Sequence, residues 1–403
     1  MSTVLADIVA RHAEEAAFLW LLRDRAVSQP NYHPRQLAEL DDRVEAHLDG
    51  LRIAGDAGWD CAATQLELAE PGEVFVATAL AFGSRSDQQQ QLVLAVVQAK
   101  PSLNRALAGG LAWLPSSTAM PFAVTWLTSK NAALREAAVR ICAAHRQSPP
   151  QIEAALYDDD LNVRARAFRA TAELGEIKRL PVLKQNYRHA DARIRFAASW
   201  AGAVCSADSA AIAELQTIAL TDRAFGEAAA EVAARRLGPA QAQAWLRTLM
   251  QIPEAGRAAM RAIGALGDPT YVPPLLAAMK KLPLARLAGE AVELITGADL
   301  ALNKLDAPQP ADFSAGPSDD AAETDVSIDQ DANLLWPDPA AIESWWTKHQ
   351  GHYQTGRRYL LGKAATADWI DAIWKTGRQR QRIAAALESS VQKPIRAWKA
   401  RIR

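Results

Sequence analysis

The 403 residues contain no His-Glu-x-x-His pair, no phosphate-binding glycine loop and no Gly-x-Ser-x-Gly elbow. Metal-dependent hydrolysis, nucleotide binding and acyl transfer usually show themselves through such patterns. Cysteine is scarce. Cys61, Cys142 and Cys205 are odd in number, far apart and in no metal spacing, so they read as buried reduced thiols rather than a disulfide framework. Of the histidines at 12, 33, 47, 145, 189, 349 and 352, only His349 and His352 stand three apart, and a glycine interrupts them. No metal site or other cofactor is therefore expected, nor an enzyme. Long apolar runs are absent as well. Seven residues, Ala16 to Leu22, separate Glu15 from Arg23, against about 20 needed to span a bilayer. Asp7 and Arg11 stand where a secretory leader would have its basic start and apolar core. The expectation is a cytoplasmic protein with no membrane partner. A formal net charge of −1 gives no global attraction to nucleic acid.

Alanine is present in abundance, whereas aromatic residues make up 6%, a balance that favours helix. The chain also repeats itself. "GRAAMRAIGALGD", which starts at Gly256, finds counterparts in "FGEAA" at 225, "IRFAA" at 194, "VRARA" at 163, "LREAA" at 134 and "NRALA" at 104. The register residues are 75, 105, 135, 164, 195, 226, 256 and 286, in steps of 29 to 31. Chance does not hold a register over eight units. Each unit reads as two helices. The first carries small residues on one face. In the best unit Gly267 ends it, Asp268 caps the next helix, and Pro269 enters that helix's first turn. The second is more apolar, as in "YVPPLLAAM". One such pair cannot bury its apolar face alone, but a stack of pairs can. The fold class is all-α, an α-solenoid of about eight units over residues 71–300.

This pattern resembles HEAT repeats, especially the short lyase-type HEAT-like variety, over Gly72 to Thr296. The resemblance implies a structural role for the most tempting charges. Asn131, Asp160, Asp191 and Asp222 precede the register residues Arg135, Arg164, Arg195 and Gly226 by four. In such repeats an acidic turn residue and a helix arginine form a ladder between adjacent units. Asp160, Arg164, Asp191, Arg195, Asp222 and Arg135 are accordingly expected to be caps and ion pairs rather than a substrate groove.

The flanks differ from the repeats. In residues 1–70, Leu37, Leu40, Val44, Leu48 and Leu51 mark one face of a helix, with His47 beside it as a packing residue. This segment is expected to cap the stack. From Asp306 to Asp331 there are eight acidic residues and no lysine or arginine, which reads as an acidic, disordered linker over 301–335. "LLWPDP" closes it, with Asp338 placed to cap a helix at Pro339. Residues 336–403 read as a small, basic, Trp-rich helical segment. Between Thr355 and Arg403, twelve Lys/Arg face three Asp/Glu.

Together, "LDDRVEAHLDGLRIAG", "LLWPDP" and "RRYLLGK…TGRQRQRIAAALE" resemble a proteobacterial family of HEAT-repeat proteins found in type VI secretion gene clusters. The resemblance implies a cytosolic accessory protein, with no catalytic residues to carry over. The expected function is a protein-binding scaffold: an adaptor or chaperone for a secretion effector or spike-tip protein, or an immunity protein that neutralises a toxin. Nucleic acid ranks below protein as a ligand. The expected contact region is Trp345, Trp346, Tyr353, Arg357 and Arg358 with Arg378, Arg380 and Arg382, since Trp, Tyr and Arg anchor interfaces. Packing of a small C-terminal core is the competing role for the tryptophans. Oligomeric state is not legible.

Overall fold

The computed structural model describes residues 5–316 and 329–392. The fold is an all-α solenoid of HEAT-like hairpins with a helical N-terminal cap and a small C-terminal helical domain. Among the described residues it divides into two compact units, one of residues 5–28 and 32–201, the other of 29–31 and the residues from 202 on.

The first unit opens with α1 (Ala6–Ala26), α2 (Pro34–Ala54) and α3 (Asp56–Leu66). Pro34 sits in the first turn of α2, and His33 with Gln36 closes a capping box there. The stripe Leu37, Leu40, Val44, Leu48 and Leu51 is buried as expected. Helices α1 to α3 all pack on α4 (Pro71–Ser84), which is buried from Val74 to Phe82. Without that cover, this apolar side of α4 would face water. Then follow α5 (Asp87–Ala99), α6 (Asn104–Trp113), α7 (Ser116–Trp126), α8 (Ala132–Ala144), α9 (Leu161–Leu174), α10 (Leu180–Asn186) and the start of α11 (Ala192–Ser206). The first helices of successive hairpins stack in order, α4 on α6, α6 on α8 and α8 on α9.

The second unit continues with α12 (Ser209–Thr221), α13 (Gly226–Arg236), α14 (Pro239–Gln251), α15 (Gly256–Leu266), α16 (Val272–Ala278) and α17 (Leu282–Thr296). Here α13 packs on α15 and α15 on α17. All eight register residues lie within first helices, Gly226 and Gly256 as the opening residue of theirs. The second element of a hairpin is less regular than the repeat suggests. Pro150–Tyr157 is a 3-10 helix, and short 3-10 turns lead into α10 and α16. Prolines at 149, 150, 181, 269, 273 and 274 account for this, because each removes a backbone donor that an α-helix would use.

The end of the stack is closed by the chain itself. Strand β1 (Asp306–Ala307) pairs antiparallel with β2 (Trp336–Pro337), and β3 (Tyr359–Leu360) with β4 (Lys363–Ala364). Helices α18 (Pro339–His349), α19 (Ala367–Thr376) and α20 (Gln379–Gln392) complete the segment. Asp338 caps α18 through the Ala340 and Ala341 N–H groups, as its position in "LLWPDP" predicts. Leu360, Ile370, Ile373, Ala384 and Ala385 form a core that also receives Leu294 of α17.

Two glycines set the junction. Gly267 and Gly297 end α15 and α17 in the left-handed region, each at φ +70°. A Cβ on Gly267 would meet the Tyr359 carbonyl oxygen at 2.1 Å, and one on Gly297 the Leu361 backbone at 2.7 Å. The bare helix ends let the 359–362 hairpin cross them. Tyr359 N–H donates to Gly267 O at 2.8 Å, Leu361 N–H to Leu294 O at 2.6 Å and Gly362 N–H to Ile295 O at 3.1 Å.

Candidate partner interface

Most of the expected contact region is turned inward. Trp346 is buried against Tyr353, and the Tyr353 hydroxyl donates to Thr296 O at 2.8 Å. Arg358 donates to Glu388 and to the Ala234 and Arg235 carbonyls. Arg378 pairs with Asp299 at 2.7 Å and Arg380 with Glu290 at 3.0 Å. Arg382 covers the Trp374 ring at 4.5 Å and donates to the Trp374 carbonyl. Six of the eight residues thus hold the C-terminal segment together and seat it on the last helices. Trp345, half-buried and stacked on His349 at 4.3 Å, and Arg357, exposed, are the two that remain outward.

The linker also differs from expectation, at both ends. Asp329 holds Arg286 at 2.7 and 3.0 Å, and Asp331 holds Arg257 at 2.6 and 3.2 Å. Burial works against the Asp329 carboxylate, but the Arg286 hydrogen bonds, the Asp331 N–H and the charges of Arg286 and Arg257 together outweigh it and hold its pKa below the usual range. Of the acidic stretch, Asp329 and Asp331 therefore rest on solenoid arginines. The central part of the expected disordered segment, 317–328, lies outside the described residues. Behind these pairs, Glu227 receives Arg257 and Arg261, and Glu290 receives Arg261 and Arg380.

The expected ladder takes a different form. Asp160 caps α9 through the Asn162 and Val163 N–H groups. Asp191 accepts from the Arg193 and Ile194 N–H groups and pairs with Arg193, whose side chain holds its pKa down to about 2. Asp222 accepts from the Ala224 and Phe225 N–H groups in the turn before α13. Arg164 and Arg195 turn back onto carbonyls of the preceding loops, at Asp158 and at His189 and Ala190. Arg135 does reach an acid of the next hairpin, but it is Asp158 (2.6 and 2.7 Å), not Asp160.

What the sequence did not reveal is a cleft of about 660 Å³ in the first unit. Helices α2 and α3 supply Glu45, Arg52 and Trp59, the end of α4 supplies Ser84, and Trp113 and Leu114 lie opposite. Trp113 Nε1 donates to Glu45 at 2.5 Å, and its ring sits edge-on to Phe75, which stacks on Trp20. Arg52 bonds both Glu45 and Asp49 at 2.6 Å. One wall is thus anchored in the core, whereas Trp59 is half-buried. No periodicity joins Trp59 to Trp113, so no sequence signal pointed here. The size falls within the range of ligand and side-chain pockets, and aromatic walls are what interface anchors use.

Burial pushes the thiols of Cys142 and Cys205 up to about 12, which leaves them unreactive. Among the described residues no group of three or more His, Cys, Asp or Glu could hold a metal ion, and no helix is long and apolar enough to cross a membrane.

A family model described as HEAT repeats matches residues 120–203. No curated protein matches the chain. With the stacked hairpins, the match makes this a HEAT-like repeat protein. Such repeats generally serve as protein–protein interaction scaffolds, and a binding scaffold is the class that fold and surface fit.

Proposed function

We propose that this chain is a non-catalytic, cytoplasmic protein-binding scaffold, an adaptor or chaperone that carries a type VI secretion effector or spike-tip protein. The observation that carries the scaffold reading is the aromatic-walled cleft between α2–α3 and the α4–α7 region. It offers a half-buried tryptophan, a rigid tryptophan and fixed hydrogen-bonding groups, the ingredients of a protein anchor site. The secretion context is supported by the resemblance of the N-terminal block, the "LLWPDP" entry and the "TGRQRQRIAAALE" block. Pairing of Arg378 and Arg380 with Asp299 and Glu290 offsets part of the local positive excess that would favour nucleic acid.

The test is affinity capture of the full chain and of Trp59→Ala from the native host, read by mass spectrometry. One effector or spike-tip protein recovered with the full chain and lost with the variant supports the reading. Nucleic acid as the co-purifying species, or no protein at all, overturns it. A gene deletion that kills the host rather than disarming it would make the bound protein a toxin and this chain its immunity factor.

A further inference from the structure

The cleft in the first unit carries a surplus of negative charge. Glu45, Arg52 and Asp56 are the charged side chains that line it. Arg52 is already engaged. Its Nη1 donates at 2.6 Å both to Glu45 and to Asp49, so two carboxylates share one guanidinium. Asp56 opens α3 and makes no ion pair among the described residues. With Asp49 included, three acids stand against one arginine. Arg23, 5.8 Å from the Trp113 ring centre, adds no excess, since Asp41 pairs with it at 2.8 Å. The lining acids are open to an incoming group: Asp56 is exposed, and the Glu45 side chain is 44% exposed.

Aromatic rings stand beside these charges. Trp59 follows Asp56 by three residues on α3, which puts both on one face of the helix, and both line the cleft. Elsewhere on the lining, Trp113 Nε1 donates to Glu45 and so orients that carboxylate. Leu51, Leu80 and Leu114 supply apolar lining. A ring next to a carboxylate, with apolar surface nearby, matches a side chain that ends an alkyl stem in a planar cation. Arginine is that side chain. Its stem covers apolar surface, its guanidinium stacks on an indole, and its N–H fork meets a carboxylate.

We infer that the cleft takes an arginine side chain of the partner protein, with its guanidinium over Trp59 and against Asp56, and with Glu45 adding to the negative field. An acidic anchor would meet the surplus of acids, and an aliphatic one would leave Asp56 without a cation. The inference rests on the scaffold reading, which makes the cleft a protein-binding site, and goes on to name the residue that enters it.

The experiment is NMR of the full chain with isotope-labelled tryptophan, read at the indole N–H signals while N-acetyl-arginine amide is added. The Trp59 signal is assigned by its loss in Trp59→Ala. Expected is a saturable shift of that signal with millimolar affinity, as a fragment of this size allows, complete by about 50 mM. N-acetyl-leucine amide and the acidic N-acetyl-glutamate amide are expected to bind about fivefold more weakly or worse. Arginine-amide binding should weaken about threefold or more in Asp56→Asn, an exposed replacement, and should weaken in the parent when salt rises from about 0.05 M to about 0.3 M. The salt and ligand comparisons hold the test open should the variant not fold. Absence of a saturable shift overturns the proposal. So does leucine amide or glutamate amide binding as tightly as arginine amide, and so does Asp56→Asn binding like the parent. None of these outcomes touches the scaffold reading, which falls instead if Trp59→Ala captures no less of the partner than the parent does.

Discussion

Arg286 and Asp329 meet in a two-pronged ion pair at 2.7 and 3.0 Å, with the guanidinium packed over the adjoining rings of Phe313 and Trp336 at 4.9 and 4.7 Å. The arginine side chain is 7% exposed and the aspartate 17%. Removing one partner of a buried pair leaves the other charge without compensation, so Arg286→Ala is expected to cost about 3 kcal/mol of stability. The pKa of Asp329 is depressed from 3.8 in the folded chain. The contribution of this pair is therefore present above about pH 4 and is lost as pH falls through the folded value. Denaturant titrations of both proteins at pH 7 and in the acid range check this. An Arg286→Ala variant as stable as the parent at pH 7 would show that the linker is not fastened here.

Gly267 makes a second prediction. Its φ of +70° already disfavours a side chain, and the Tyr359 carbonyl occupies the place of a Cβ. Gly267→Ala is expected to cost about 1–2 kcal/mol from backbone strain alone, with displacement of the 359–362 hairpin adding to it. Hydrogen exchange should report faster exchange at Tyr359, Leu361 and Gly362, whose amides bond to the ends of α15 and α17, while α4 stays protected. Uniform exchange across the chain would mean that the hairpin is not a separate closure.

The contrast between these residues shows where sequence reading succeeds and where it stops. Gly267, Asp268 and Pro269 announce a helix end and a cap because those preferences are local. The register from 75 to 286 is legible because every unit solves the same packing problem. Arg378 and Arg380 look like free basic charge, and only folding reveals that Asp299 and Glu290, about 80 and 90 residues earlier, neutralise them. The tail's Trp, Tyr and Arg content reads as an interface, and the surface that most of its described contact residues meet is the chain's own. The cleft escaped because Trp59 and Trp113 belong to different hairpins, and no spacing rule links them.

Glu293 gives a pH prediction of opposite sign to Asp329. Burial, opposed by the Leu300 N–H and by Arg378, pushes its pKa from 4.5 up to about 7. Asp299 and Glu290, which also face it, push the same way as burial. An acid with a raised folded pKa favours the native state while protonated, so stability falls as pH rises from about 4.5 to about 7. The full effect is on the order of 3 kcal/mol. Glu293→Gln keeps the acceptor for Leu300 and removes the titration. The variant should match the parent near pH 4.5 and exceed it near pH 8. A difference between the two melting temperatures that does not change with pH would show that Glu293 does not titrate in this window.

The cleft yields the last prediction. Trp113 holds Glu45 through Nε1 and packs on Phe75 in the core, so Trp113→Ala is expected to lower stability by about 3 kcal/mol as well as binding. Trp59 is half-buried and lines the cleft. Trp59→Ala should therefore leave the melting temperature within a few degrees of the parent while weakening the captured partner's affinity about tenfold or more, as truncating an aromatic anchor does. Trp113→Phe separates the two roles. It keeps the ring against Phe75 but frees Glu45, so binding should suffer with little loss of stability. Titration calorimetry with the captured partner, run beside thermal melts, distinguishes these cases. If both variants bind like the parent, the partner seats elsewhere, and the outward Trp345 and Arg357 become the next residues to replace, because they are the part of the predicted contact region that the C-terminal domain leaves outward.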